Sequence, residues 1–350
     1  MQYSQCLKRL SKGGATRLCA PRKVTCQPSS MSVTIKEMAR QLKLSQAAVC
    51  MALRNSPEIS RETRKRVRNL AMQLKYIPNH FGRGLKKNRS QIVGYMLGSA
   101  TRSFSGELLE TVGYCLMRNG YGMMTGWVPD SSEIFSSQLK LMMEKNVDGF
   151  LFTLTDTLIY EHLDLLRDNG KPPVFCSGYS RSDCNCVVGD QFSGGRILIE
   201  HLLEMGHRQI AVAPCPYLKQ RHDGYEAALH GTIDARLIDY QRVDDLPALL
   251  SSHPEITAIA AYSDEEAIDI AELLRQQGYD IPGKISLVGF DDLWFAGRRE
   301  FQLTTVAQPR RQIAERSYAR LMELIDGDKS IRQEILPVEL VVRNSVRRIR

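Results

Sequence analysis

No stretch of this 350-residue chain approaches the roughly 18 consecutive apolar residues that a bilayer span demands, so nothing reads as a membrane segment. The first thirty residues are basic but have no apolar centre, which excludes a secretory signal. Nine cysteines form no CxxC pair and no Cys/His cluster at zinc spacing, and Cys184 and Cys186 stand one residue apart in isolation. Such thiols read as buried or idle in a reducing cytoplasm, with no metal and no other cofactor. Enzyme signatures are missing as well: there is no phosphate-cradling glycine loop, no HExxH and no nucleophile elbow. A non-enzymatic role follows as the expectation.

Acidic residues are also scarce in one place, and that scarcity is informative. Residues 1–30 contain no acid and carry +6; residues 31–90 set fourteen Lys/Arg against Glu37, Glu58 and Glu62, giving +11. The whole chain is only +8, so the remainder is −9. A solvated charged face would mix signs. A basic head on an acidic body instead indicates that the head meets a polyanion, nucleic acid above all.

Within that head, residues 34–54 predict two short helices around a tight turn. Thr34 can cap the first, with Glu37 completing a capping box, and Ile35, Met38, Ala39 and Leu42 recur at helical spacing. Lys43 and Leu44 make the turn. Ser45 caps a second helix with Val49, Ala52 and Leu53 inward, leaving Gln46, Ala47, Cys50, Met51 and Arg54 outward. Neither helix is long enough to stand alone; crossed over one apolar patch they make a helix-turn-helix, whose second helix fits a major groove. An ordinary helical hairpin is the bland alternative, and the charge distribution argues against it. Ser60 caps a third helix to about Lys75, with Val67, Leu70, Ala71 and Leu74 on one face, and Pro78 stops the chain from continuing as helix. The basic stretch 79–90, interrupted by Gly82 and Gly84, reads as a linker disordered in the free protein and helical on DNA.

From Gln91 the pattern becomes short β-rich runs alternating with amphipathic stretches. Ile92–Leu97, Gly122–Val128, Val147–Thr153, Pro173–Ser177, Gln209–Ala213, Ile256–Tyr262 and Ile285–Phe290 are the candidate strands. Strands of that length between helices imply βαβ units and parallel sheet, hence a two-lobed α/β body with a ligand crevice at the carboxyl ends of the strands.

Thr34-Ile35-Lys36-Glu37, Ala39, Leu44-Ser45, Val49, Asn55-Ser56-Pro57, Glu62-Thr63-Arg64, Arg66-Val67, Tyr76, Pro78-Asn79 and Arg89-Ser90 together resemble the head of the lactose-repressor (LacI/GalR) family of bacterial regulators. The likeness continues through Val147-Asp148-Gly149-Phe150, Gly194-Gly195-Arg196, His201-Leu202-Leu203, Gly206-His207-Arg208, Val288-Gly289-Phe290-Asp291-Asp292, Leu303-Thr304-Thr305-Val306 and Arg343-Asn344-Ser345. The resemblance implies a small all-α helix-turn-helix head and a periplasmic-binding-protein-like body of two lobes joined by three crossovers, with parallel sheets. It implies a homodimer on a near-palindromic operator in double-stranded DNA, and a small-molecule effector of the sugar or nucleobase kind. DNA-facing positions would be Thr34, Ser45, Gln46, Ala47, Met51, Asn55 and Leu85, the last matching a leucine wedged into the minor groove. Effector-facing positions would be Phe104, Arg221, Ser263, Asp291 and Gln308. Arg221 offers a fork of donors to hydroxyls or a carboxylate, and Asp291 accepts from hydroxyls. For Ser263, followed by Asp264, Glu265 and Glu266, a plain helix cap with dipole-favoured acids competes with a ligand role.

Departures from the family pattern sharpen the expectations. Lys43 stands at a turn site where the family has glycine, so a left-handed backbone there would carry about 1–2 kcal/mol of strain. Met51 replaces an arginine that reads guanine, and Cys50 replaces a serine. Gln46 can pair with adenine while Ala47 and Met51 can touch only thymine methyls, so the half-sites should depend little on guanine. Between Leu229 and Thr257 the chain is shorter than family members, which puts effector response in question.

The expected organisation is a disordered basic extension over 1–30 (with Met31 as the natural start, or else a basic arm on DNA), a DNA-binding domain over 31–78, a hinge linker over 79–90, a two-lobed effector and dimerisation body over 91–345, and a tail over 346–350. No leucine heptad follows, so a dimer and not a tetramer is expected. The function so implied is a cytoplasmic, nucleoid-associated transcriptional repressor under effector control; an activator, or a weakly specific nucleoid-associated protein without effector, is the alternative.

Overall fold

A computed structural model describes residues 34–76, 89–98, 103–127, 131–153, 157–177, 182–215 and 218–349. The expectations for residues 1–30, for most of the linker and for Leu85 lie outside the described residues. The chain divides into two compact units, Met1–His80 and Phe81–Arg350.

In the first unit, α1 (Ile35–Leu42), α2 (Gln46–Leu53) and α3 (Arg61–Gln73) close on Met38, Ala39, Val49, Ala52 and Val67. Ile35, Leu42, Leu53, Leu70, Ala71 and Leu74 pack around that centre. Ser45 and Ser60 cap α2 and α3, accepting from Ala48 N and Thr63 N at 3.1 Å each. Thr34 accepts from Glu37 N at 3.2 Å, but the box expected there closes on one side only. The Glu37 carboxylate instead accepts from Arg40 at 2.8 Å and Gln41 at 3.0 Å, because both lie one turn along on the same face. Lys43 adopts the left-handed backbone, at φ 53° and ψ 43°. Leu44 N then reaches Ala39 O at 3.0 Å, a closure that satisfies a last-turn carbonyl and offsets the strain.

The second unit has two lobes. In the first, β1 (Ile92–Leu97), β2 (Gly122–Trp127), β3 (Phe150–Thr153), β4 (Pro173–Ser177), β5 (Asn185–Gly189) and β11 (Gln333–Leu336) form a six-stranded sheet ordered β11-β5-β4-β3-β1-β2, every pair parallel. Helices α4 (Ser103–Arg118), α5 (Ser132–Glu144), α6 (Leu163–Asp168) and α11 (Arg310–Ile325) cover its faces. In the second lobe, β6 (Gln209–Val212), β7 (Arg236–Asp239), β8 (Ala258–Ala260) and β9 (Ser286–Val288) run parallel in the order β7-β6-β8-β9. Around them lie α7 (Gln191–Glu204), α8 (Lys219–Ala228), α9 (Leu246–Ser252) and α10 (Asp264–Gln276). Both sheets are covered on two faces, which is why β3, β8 and β9 are buried at every position.

The chain passes between lobes three times: from β5 into α7, from β10 (Thr305–Ala307) into α11, and from β11 into β12 (Glu339–Val341). β10 and β12 pair antiparallel, and Asp190 N donates to Leu336 O at 2.8 Å, so the crossings are stitched together. All seven sequence-predicted strands exist, most of them shorter than expected. β5, β7, β10, β11 and β12 were not foreseen; they hold only three to five residues, too few to show a period. Between Leu229 and Thr257 the chain forms β7, a 3-10 turn and the two-turn α9.

The entry to the body is pinned. Ser90 N and Gln91 N donate to the buried Asp148 carboxylate at 2.7 and 2.9 Å, and Arg89 donates to Asp326 and to Ile325 O at 2.7 Å each. Gly149 follows Asp148 because a Cβ there would sit 2.9 Å from Leu321 and 3.0 Å from Pro172 O.

Candidate DNA-reading face and effector cleft

Helix α2 buries Val49 and Ala52 against the other two helices. Its opposite face leaves Gln46 and Ala47 exposed and Cys50 and Met51 half-buried. None of these four side chains has a charge, so this face offers amide and apolar surface, of the kind that can meet a base edge, in a head rich in Lys and Arg. Thr34 and Ser45 are exposed at the helix starts. Each hydroxyl oxygen accepts from its own helix, which leaves the hydroxyl proton free to donate outward, next to the positive end of the helix dipole. Asn55, exposed, holds a left-handed φ of 63° just after α2, a conformation asparagine tolerates. The Arg64 guanidinium donates to Asn55 O at 3.1 Å and Ser56 O at 3.2 Å, clamping the loop that ends α2.

In the body, the carboxyl ends of the second-lobe strands bring three of the five expected effector residues together. Arg221, on the first turn of α8, is 3% exposed. Its Nε and Nη2 both donate to Gln191 Oε1, at 3.0 and 2.7 Å, and Nη1 donates to Tyr262 O at 2.6 Å. The guanidinium lies 3.5 Å over the Phe290 ring and 5.2 Å from that of Tyr262. Gln191 Nε2 donates to Gln308 Oε1 at 3.1 Å and Gly189 O at 3.3 Å, and Gln308 Nε2 donates to Asp291 Oδ1 at 2.7 Å.

Two helices make this possible by touching backbone to backbone. A Cβ at Gly195 of α7 would lie 2.3 Å from Arg221 O, and one at Gly224 of α8 would lie 2.2 Å from Phe192 O. Gly194 leaves room for the Phe290 ring, 2.7 Å from where its Cβ would be. The Gly194-Gly195 pair thus seats both Arg221 and the ring beneath it.

Asp291 takes an unusual backbone, φ 112°, followed by Asp292 at φ 51°. The Arg310 guanidinium holds the pair, donating to Asp291 O and, at 2.9 Å, to Asp292 O, while its Nε reaches Glu107 of the first lobe at 2.5 Å. Burial pushes the Asp291 carboxyl up to about 6, against the pull of Arg221 and Gln308. Asp264 beside it rises further, to about 8, through burial and the nearby Asp291 charge, although Thr305 and Leu293 N donate to it at 2.6 and 2.7 Å. Ser263 is the N-cap of α10, accepting from Glu266 N at 3.2 Å. Glu265, next to it, accepts from Ser103 N of α4 at 2.7 Å, a contact across the lobes. Phe104 follows Ser103 and packs on the first-lobe core; the structure does not bring it into the Arg221 network. A cavity of about 410 Å³ opens nearby between Pro214, Cys215, Lys219, His222, Asp223, Glu226 and Asp239.

Gln191, Glu265 and Arg310 were missed by sequence reasoning. Gln191 follows an N-cap aspartate and looks like any first-turn residue, and its partner Gln308 is 117 residues away. Among the described residues no His/Cys/Asp/Glu group could hold a metal, and no helix is long and apolar enough to cross a membrane.

Residues 34–79 match the lacI family of bacterial regulatory proteins, and residues 199–346 match the periplasmic binding protein-like domain. The chain is 27% identical over 336 residues to the HTH-type transcriptional repressor PurR of Vibrio atlanticus, spanning 90% of this chain and 98% of that one. It is 23% identical over 329 residues to the ribose operon repressor of Haemophilus influenzae, spanning 89% and 98%. In fold it is similar to the Lac repressor dimer bound to operator and the anti-inducer ONPF, with a TM-score of 0.77 at 22% identity over 90% and 99% of the two chains. It is likewise similar to the transcriptional regulator CelR in complex with cellobiose, at 0.65 and 23%, over 89% and 99%.

Proposed function

Because this chain belongs to the LacI family of bacterial regulatory proteins, we propose that it is a transcriptional repressor, acting as a homodimer on a near-palindromic operator. A small-molecule effector of the sugar class sets its DNA affinity. The observation that carries this reading is the two-faced α2: Val49 and Ala52 form the core, while Gln46, Ala47, Cys50 and Met51 present a base-reading face in a basic head. Relatives named as repressors along nearly their whole length support the sign of regulation. Thr34, Ser45 and Asn55 position the head on phosphate, Gln46 pairs with adenine, and Ala47 and Met51 meet thymine methyls.

Arg221, Asp291 and Gln308 hold the effector; Ser263 and Phe104 line the cleft around them. The cleft fits a polyhydroxyl ligand because it offers a forked donor and a carboxylate acceptor over aromatic faces. Binding acts on DNA only through a difference in affinity between two lobe arrangements. The reaction class is binding, not catalysis, and the protein acts in the cytoplasm on the nucleoid.

Selection of random duplex DNA on the full-length protein tests the reading. Enrichment of a near-palindrome with T-rich and A-rich half-sites is the expected result; sequence-blind enrichment only would overturn it.

A further inference from the structure

Arg221 and Asp291 are a buried cation and a buried carboxylate, yet their charges do not meet. Two glutamine amides stand between them, and both are aligned in one direction. Arginine can only donate, so Gln191 must present its oxygen to Arg221; an ionised Asp291 can only accept, so Gln308 must present its nitrogen. The remaining Gln191 nitrogen then faces the remaining Gln308 oxygen at 3.1 Å. Each end of the row fixes the orientation of both amides, and each amide polarises the next.

The positions of those amides matter more than their chemistry. Gln191 opens α7, directly after the first lobe crossing, and Gln308 lies between β10 and α11, on the second. Arg221 and Asp291 belong to the second lobe. We infer that Gln191 and Gln308 are the coupling residues of this protein: a relay of two amides that ties the effector-facing Arg221 and Asp291 to two of the three lobe crossings.

This rests on the proposed effector cleft and deepens it. A ligand oxygen that takes the Nε and Nη2 donors of Arg221 must displace Gln191 Oε1. The displaced amide keeps only Gly189 O at 3.3 Å to orient it, and its hold on Gln308 weakens. Occupation of Arg221 is thereby read at the second crossing through Gln191, in addition to the contact that Gln308 makes with the effector itself. An intact relay holds the crossings in the arrangement described above.

Hydrogen exchange on the full-length protein, without DNA or ligand, tests the relay. Asp190 N, donating to Leu336 O at 2.8 Å, reports on the first and third crossings; Asp291 N, donating to Val306 O at 2.8 Å, reports on the second. Gln191→Met is expected to speed exchange at Asp291 as well as at Asp190, and Gln308→Met to speed it at Asp190 as well as at Asp291. The expected effect is about ten-fold at the distant reporter, since one hydrogen bond to a charged system is lost. A merely local packing role would confine each effect to its own crossing, and that result overturns the relay. Gln191→Glu guards against misfolding: it keeps an oxygen on Arg221 but turns a second oxygen toward Gln308, so the distant reporter should still loosen. Because no DNA is involved, an absent operator in the selection experiment refutes the regulator and leaves the relay standing. An operator with purely local exchange effects does the reverse.

Discussion

Gly195→Ala is the most searching single change in the body. A methyl group placed on Gly195 would lie 2.3 Å from Arg221 O and 3.2 Å from both Arg221 C and Cγ. Two of those atoms are backbone of α8 and cannot swing aside, so the helices must separate by about 1 Å to restore ordinary contact. Overpacking of that kind costs about 1–3 kcal/mol. Displacing Arg221 from Gln191 adds about 1.5–3 kcal/mol, because the hydrogen bonds lost are to a charged group. Alanine recovers about 1 kcal/mol of helix propensity in the opposite direction. The net is a destabilisation of about 1.5–5 kcal/mol, with Gly224→Ala behaving alike because its Cβ meets Phe192 O and Arg196 N. Gly106→Ala is the control: it sits in α4 with nothing within 4 Å of the added Cβ, so only the propensity gain applies, about 0.5–1 kcal/mol of stabilisation. Urea unfolding followed by circular dichroism reads all three. An alanine at 195 as stable as wild type, or a loss at 106 as large as at 195, would refute the argument that backbone approach of α7 and α8 seats Arg221.

Other expectations follow from the same geometry. Asp264, with its carboxyl raised to about 8, favours the folded state when protonated, so its contribution is full below its unfolded value near 4 and is lost as pH rises to 8. Between pH 6.5 and 8 wild-type stability should therefore fall by up to about 1.4 kcal/mol per pH unit from this group, and Asp264→Asn should flatten that slope in pH-dependent denaturation. His207, buried between Thr257 and Arg347 O and lowered to about 4, works the other way: its contribution is present above 6.5 and lost as pH falls toward 4, and His207→Gln should remove that acid sensitivity. Replacing thymine by uracil at the bases facing Ala47 and Met51 should weaken operator binding about three- to four-fold per methyl, by gel shift; no change would remove the apolar readout. Arg64→Ala should lower operator affinity without touching base preference, since it frees the loop after α2, and an altered selected motif would count against that clamp role.

The head was legible because every signal in it is local. Caps at Thr34, Ser45 and Ser60 bond within three residues, and the 3.6-residue period of Met38, Val49 and Val67 names the core without knowledge of any distant partner. The left-handed turn at Lys43 was equally readable, from a single departure at a turn site. The capping box failed on its second half for a reason equally local, competition from Arg40 and Gln41 one turn away. In the body, the alternation of strand and helix determined the parallel two-lobed class, but strands of three to five residues at the crossings carry no period of their own. Arg221, Asp291 and Gln308 were singled out through the family resemblance; that they share one hydrogen-bonded row, with two amides between the two charges, could not be read. Gln191 and Gln308 meet across 117 residues, and Glu265 meets Ser103 across 162. Sequence determines the groups each element can offer, since propensity, capping and charge act over a few residues. Only the folded chain decides which groups satisfy one another, because burial removes water as a partner and leaves each buried donor to whatever acceptor the crossings bring within 3 Å.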